Sequence, residues 1–252
     1  FYVMQCKWTR FMQKGLAFTA GFCCLLVLLA SCGKDGGAQS SGEPSSASRA
    51  QFSDTGMTVA DQFFPYDGAQ EISLCGAELG TLKGFEKFAQ AENLGLCSNG
   101  ISDLAPLAKL TKLRELNLES NQVSDLSPLR GLTGLNVLLL SENQISDLTP
   151  LSGMTQLIAL SLKDNQISDL TPLSGLTHLS DLSLDGNRIS DLSALSGMAK
   201  LKHLYLAENQ IRDISALKGL TSLKTLDLKG NPLDQAQVRS LQEALPECEI
   251  LF

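Results

Sequence analysis

Six aspartates, Asp103, Asp125, Asp147, Asp169, Asp191 and Asp213, recur at intervals of 22 residues. Carboxylates stacked in this way could gather calcium, a hard cation that prefers oxygen ligands. The flanking residues favour another chemistry. Each Asp can accept a hydrogen bond from the N–H two residues on, forming an Asx turn. The next polar position then opens a short helical turn: Ser127-Pro128, Thr149-Pro150 and Thr171-Pro172 read as an N-cap followed by Pro at the first helical position. Calcium-binding β-helix repeats are Gly- and Asp-dense nonapeptides, unlike these segments, so no metal is expected. The sequence also shows no nucleophile–base motif, no phosphate-cradling glycine loop and no metal-ligand cluster. The periodic Gly131, Gly153, Gly175, Gly197 and Gly219 belong to turns. Neither catalysis nor a cofactor is expected.

The elements that position the aspartates are set by other columns at the same period. Asn99, Asn121, Asn143, Asn165, Asn187, Asn209 and Asn231 form one. Leu116, Leu138, Leu160, Leu182, Leu204 and Leu226 form a second, and Leu118, Leu140, Leu162, Leu184, Leu206 and Leu228 a third. A fourth runs Ile101, Val123, Ile145, Ile167, Ile189, Ile211 and Leu233. A fixed period of this size marks a solenoid of stacked units. The L-x-L step has period 2, so it is a short strand with its leucines on one face. Stacking places these strands in parallel, about 4.8 Å apart. The chain must then turn away, leaving backbone donors and acceptors inside the coil. An amide side chain offers both a donor and an acceptor, so a column of Asn can satisfy backbone groups in its own coil and the next.

The pattern L-x-x-L-x-L-x-x-N-x-I-x-D-L-x-P-L-x-x-L resembles the leucine-rich repeat family, in its 22-residue class, shared by bacterial internalins and a regulatory subunit of type-1 protein phosphatase. The resemblance runs from about Ile72 to the C-terminus, with six complete copies between Ile101 and Pro232 and a degenerate copy on Leu79, Leu82, Phe85, Phe88, Leu94, Leu96 and Asn99. It implies an α/β leucine-rich repeat solenoid with a parallel concave sheet and short 3-10 or helical turns on the convex side, capped at both ends. Glu71–Cys75 supplies a first strand, and 79–232 is the solenoid proper. Residues 51–78 form an N-terminal cap and first strand, with Phe52, Phe63, Phe64 and Tyr66 covering an open edge. Residues 233–252 form a C-terminal cap: a helix over Gln235–Leu245 ending at Pro246, then a strand at Glu249–Phe252.

The N-terminus has a different character. Lys7, Arg10 and Lys14 precede an uncharged run, Leu16–Ala30, and no acid occurs before Asp35. That layout is a secretory signal peptide over 1–32, too short for a membrane span of about 20 apolar residues. Met4 and Met12 are candidate initiators. Leu29-Ala30-Ser31-Cys32-Gly33 resembles the bacterial lipobox, which implies a diacylglyceryl thioether on Cys32 and an acylated amine. Several acyl chains give stable attachment where one does not. Gly33 is not the acid that retains such proteins at the inner membrane, so the expected address is the cell envelope, with the outer membrane favoured. Residues 33–50, rich in Gly, Ser and Ala, read as a flexible tether of about 23 Å mean span. Removing Lys7, Arg10 and Lys14 leaves 17 basic against 27 acidic residues, about −10. Such a balance disfavours nucleic acid. Of the seven Cys, Cys75 and Cys97 share a column; export permits a disulfide, yet adjacent parallel strands are not ideal for one, and the pairing stays open. Cys248 is too far along the stack to join either.

Recognition therefore falls to the residues flanking the core leucines. Glu115, Asn117, Val137, Leu139, Asp181, Asp185, His203, Tyr205 and Asp227 are expected on the concave face, where a protein partner would dock. Val137 and Leu139 read as exposed apolar surface, and Tyr is enriched in binding hot spots. A Tyr205→Ala, Leu139→Ser pair is thus expected to abolish partner capture at an unchanged melting curve. The chain is expected to act as a monomer. A structural envelope scaffold, or a surface adhesin or glycan binder, are the alternative readings; the latter is weakened by a single concave Tyr.

Overall fold

A computed structural model describes residues 50–252 apart from 60 and 61. The expected signal peptide, Cys32 and all of the tether but Ala50 lie outside the described residues. Nine parallel strands stack in sequence order: β4 (Glu71–Ser73), β5 (Asn93–Gly95), β6 (Glu115–Asn117), β7 (Val137–Leu139), β8 (Ala159–Ser161), β9 (Asp181–Ser183), β10 (His203–Tyr205), β11 (Thr225–Asp227) and β12 (Glu249–Leu251). The register steps from each residue to its counterpart one repeat on, so Leu116, Leu138, Leu160, Leu182, Leu204 and Leu226 lie side by side. On the opposite side, 3-10 turns such as Ser127–Leu129, Thr149–Leu151 and Thr171–Leu173 close each coil. Between these layers the leucine and isoleucine columns are buried in one continuous core, Leu233 at the end of the stack only partly, so hydrophobic contact passes from coil to coil without interruption.

The Asn column lies at the corner where each strand leaves the sheet. Asn121 Nδ2 donates to the carbonyls of Leu96, Leu118 and Glu119, while Oδ1 accepts from the N–H groups of Asn99 and Ile101. The carbonyl closing each strand serves two ladders: Leu140 O accepts from Asn143 and from Asn165. Side-chain hydrogen bonds therefore interleave successive coils. The residue before each Asn adopts a left-handed conformation, as at Ser120, Glu142, Asp164 and Glu208 with φ between 53° and 56°. A left-handed L-residue costs roughly 1–2 kcal/mol. Gly186 and Gly230 occupy the same corner at φ 65° and 72°, where that cost is small.

The Asx turns form as expected, and they correct one detail. Asp125 Oδ1 accepts from Ser127 N at 2.8 Å, and Asp103, Asp147, Asp169, Asp191 and Asp213 do the same two residues on. Ser127 and Thr149 are the first residues of their 3-10 turns rather than N-caps; the cap positions are Leu126 and Leu148, without a side-chain cap bond. The Asp one residue earlier serves the orphan N–H instead, because its carboxylate reaches the turn from outside while the leucine stays in the core.

Both ends are closed. At the N-terminal end, β1 (Gln51–Phe52), β2 (Gly56–Val59) and β3 (Gln62–Pro65) form an antiparallel sheet. It buries Met57, Val59 and Phe64, and Tyr66 meets Phe88 edge-on at 5.0 Å. Phe52 and Phe63 stay exposed, which narrows the covering role expected of all four aromatics to Phe64 and Tyr66. At the other end, α1 (Gln235–Ala244) starts at a capping box in which Gln237 N donates to Asp234 Oδ1 and Asp234 N to Gln237 Oε1. It buries Leu241, and Leu245 just beyond it is buried too. Cys75 and Cys97 are joined, their Cα atoms 4.4 Å apart. The question left open by sequence is thereby answered: neighbouring strands in register bring that column within disulfide reach. Cys248 is free and buried.

Candidate interaction surface

The residues between and beyond the core leucines form three rows across the concave face. In the first, Glu115, Val137, Ala159, Asp181, His203 and Thr225 stand in register. In the second are Asn117, Leu139, Ser161, Ser183, Tyr205 and Asp227. The third follows each strand and includes Glu119, Ser141, Lys163, Asp185 and Ala207. Each row varies along the stack, apart from the neighbouring pair Ser161 and Ser183, whereas the rows facing the core remain Leu.

Burial divides this face. Glu115, Val137, Asp181, Asp185, His203, Tyr205 and Asp227 are partly exposed. Leu139 is only 3% exposed and Asn117 6%. The reading of Leu139 as exposed apolar surface is therefore corrected. Concave curvature crowds the sheet's side chains together, and Leu139 is held between Asn117 and Ser161 in register. Ala159, Ser141 and Ser161 are buried with it, and the two Ser hydroxyls are 2.6 Å apart. The result is a close-packed apolar floor at β7 and β8. Asn117 does not present its amide outward: Oδ1 accepts from Glu119 N, and Nδ2 donates to Glu119 Oε2. It positions Glu119. That role leaves no signal in the sequence, since Asn117 occupies the same variable row as Tyr205.

Beyond the floor the face is acidic. Burial pushes the Glu119 carboxyl above its ordinary range despite hydrogen bonds from Asn117 and Ser141. Glu115 is raised by burial and then by Glu71. On the far side, burial raises Asp185, even though Oδ1 accepts from Ala207 N at 2.8 Å and Oδ2 from Ser183 Oγ at 3.2 Å. Tyr205 is raised too, first by burial and then by Asp181, Asp185 and Asp227. Asp227 Oδ1 accepts from Lys229 N, and His203 Nδ1 lies 3.3 Å from Thr225 Oγ1. Asp181, Asp185, His203, Tyr205 and Asp227 thus form one patch on β9 to β11, while Glu115, Asn117 and Glu119 lie across the floor on β6.

Comparisons with known proteins agree with this architecture. A family model described as leucine-rich repeats, two copies, matches residues 92–131, 155–197 and 199–241. The structure of an internalin (inlF) from Listeria monocytogenes is 37% identical with a TM-score of 0.67; the match covers 69% of this chain and 51% of that one, so this chain spans about half of that internalin's length. Internalin C2 from the same organism is 34% identical with a TM-score of 0.69, covering 77% of this chain and 87% of the internalin. The ectodomain of the Arabidopsis thaliana receptor kinase GASSHO1/SCHENGEN3, solved in complex with CASPARIAN STRIP INTEGRITY FACTOR 2, is 29% identical with a TM-score of 0.55, over 59% of this chain and 19% of that one. No curated protein matches in sequence.

Proposed function

Because this chain belongs to the leucine-rich repeat family, we propose that it is an exported binding protein, lipid-anchored at Cys32 in the bacterial envelope, that holds a protein partner on its concave face. The observation that carries the reading is the contrast across each strand. The inward leucines repeat without change, while the outward rows vary along the stack and leave Asp181, Asp185, His203, Tyr205 and Asp227 partly exposed. Constant packing with a varied face is what a scaffold for recognition requires. The receptor ectodomain described above supports it, being a leucine-rich repeat protein solved with a bound factor. The lipobox at Cys32 supports the anchor, and the acyl groups would hold the chain at the outer membrane. The solenoid works by complementarity and needs no cofactor.

The burial of Leu139 changes the variant that tests this. Tyr205→Ala with Val137→Ser alters two partly exposed positions and spares the floor. Partner recovered from envelope extracts by the full-length chain should be lost in this variant, with the melting curve kept. Undiminished capture would move the site to the convex side or a cap. Labelling with palmitate tests the anchor: a Cys32→Ala chain that still takes up label would exclude attachment there.

A further inference from the structure

The concave face is unevenly charged, its carboxylates outnumbering the cations beside them. Among the described residues the one ion pair is Lys163 with Asp164, 3.6 Å apart, beyond the edge of the sheet. Asp181, Asp185 and Asp227 surround Tyr205 without such a partner. The groups hydrogen-bonded to them are neutral: Ser183 Oγ and Ala207 N at Asp185, and Lys229 N, a backbone amide, at Asp227; Lys163, already paired with Asp164, offsets Asp185 only in part. Carboxylates this close, half withdrawn from water, repel one another and are poorly solvated. A cation delivered from outside offsets both effects, and a bidentate guanidinium does so with the best geometry. Next to them Val137, beside the buried floor of Leu139 and Ala159, offers partly exposed apolar surface with no charge.

We infer that the segment taken up by this face is cationic, with Arg or Lys side chains set around Tyr205 against Asp181, Asp185 and Asp227, and an apolar residue against Val137. The inference rests on the concave-face reading and names the chemistry of its partner. The aromatic ring contributes as well, because a guanidinium flanked by carboxylates can stack on Tyr205. Electrostatic complementarity of this kind sets encounter rate and specificity more than the buried area does.

The test uses a display library of random linear peptides panned against the full-length chain. The expected result is an enriched pool with positive net charge, whose binding weakens about tenfold or more between low and physiological salt as screening sets in. A chain carrying Asp181→Asn, Asp185→Asn and Asp227→Asn should lose that enrichment. These changes keep the oxygens that accept from Ala207 N and Lys229 N, so the fold is conserved; should the triple variant melt early, the salt dependence of the unaltered chain decides alone. A neutral or acidic pool, or no enriched pool, overturns the inference. If a neutral pool is lost in the Tyr205→Ala, Val137→Ser variant, the concave-face reading stands without it. If a basic pool survives both variants, both readings fall.

Discussion

Replacing Asn165 by Ala removes four hydrogen bonds, and the structure says how unequal they are. Three run from Nδ2 to the carbonyls of Leu140, Leu162 and Lys163. Each of these carbonyls keeps another donor: Asn143 on Leu140, Asn187 on Leu162 and Glu142 N on Lys163. Their loss belongs at the low end of the usual range, about 0.5 kcal/mol each. The fourth is different. Asn165 Oδ1 accepts from Ile145 N at 2.9 Å, and no other acceptor meets that buried amide. Orphaning it costs about 1–3 kcal/mol. The sum is about 2.5–4.5 kcal/mol, equivalent to roughly 5–18 °C in Tm for a chain of this size. Asn231→Ala should cost about half as much, because Asn231 in the last coil is partly exposed and water can replace its bonds. Asn165→Asp should cost more than the Ala change, since its second oxygen turns toward three carbonyl oxygens without a hydrogen. Urea unfolding followed by circular dichroism measures all three. Equal losses at Asn165 and Asn231, or a loss below about 1 kcal/mol at Asn165, would refute this accounting.

Other consequences are equally accessible. The Cys75–Cys97 bond closes a 22-residue loop, and chain entropy alone assigns it about 3 kcal/mol; a Cys75→Ser, Cys97→Ser chain should show that loss in a urea titration, and an unchanged midpoint would argue against it. Leu139→Ser should destabilise by about 3 kcal/mol as a buried leucine, whereas Val137→Ser should stay within about 1 kcal/mol; thermal melts that rank the two the other way would put Leu139 back on the surface. For pH the signs oppose. The Glu115, Glu119 and Asp185 carboxyls are raised by burial, so their contribution is full below the unfolded-state value and is lost as pH rises through the folded one. Hydrogen bonds from the residue two further on hold Asp125, Asp147, Asp169 and Asp213 low, so their contribution is present above the ordinary value and lost as pH falls through the folded one. Stability should crest in mild acid, and Glu119→Gln with Asp185→Asn should flatten only the limb above the crest; a urea midpoint climbing steadily from about pH 4 to 8 would contradict this.

Periodicity made the solenoid legible, since Leu116 and its equivalents must share one buried face and the Asn must serve the corner. The same logic gave the Asx turns and the C-terminal helix, whose Leu241 and the Leu245 just beyond its end fall one turn apart. What escaped depends on curvature and close register rather than on period. Leu139 and Tyr205 occupy the same row, yet one is walled in by Asn117 and Ser161 while the other has Ser183 and Asp227 beside it. No window of sequence distinguishes them without the sheet's bend. The three-stranded N-terminal cap carries no repeat, so its pairing was not readable, only its need. The bond between Cys75 and Cys97 turned on a Cα separation that column alignment implies but does not measure.

The sharing of each strand-end carbonyl by two successive asparagines bears on how such a gene changes over generations. Every junction between coils is chemically the same join: an Asn from one side, a Leu carbonyl from the other. Misaligned recombination that drops or duplicates one whole 22-residue unit brings together two ends that still fit. An insertion of any other length strands an amide and a carbonyl in the interior. Descendants of this chain would therefore vary in length by whole coils, and each such event would redraw the concave rows, and so the partner, in a single step.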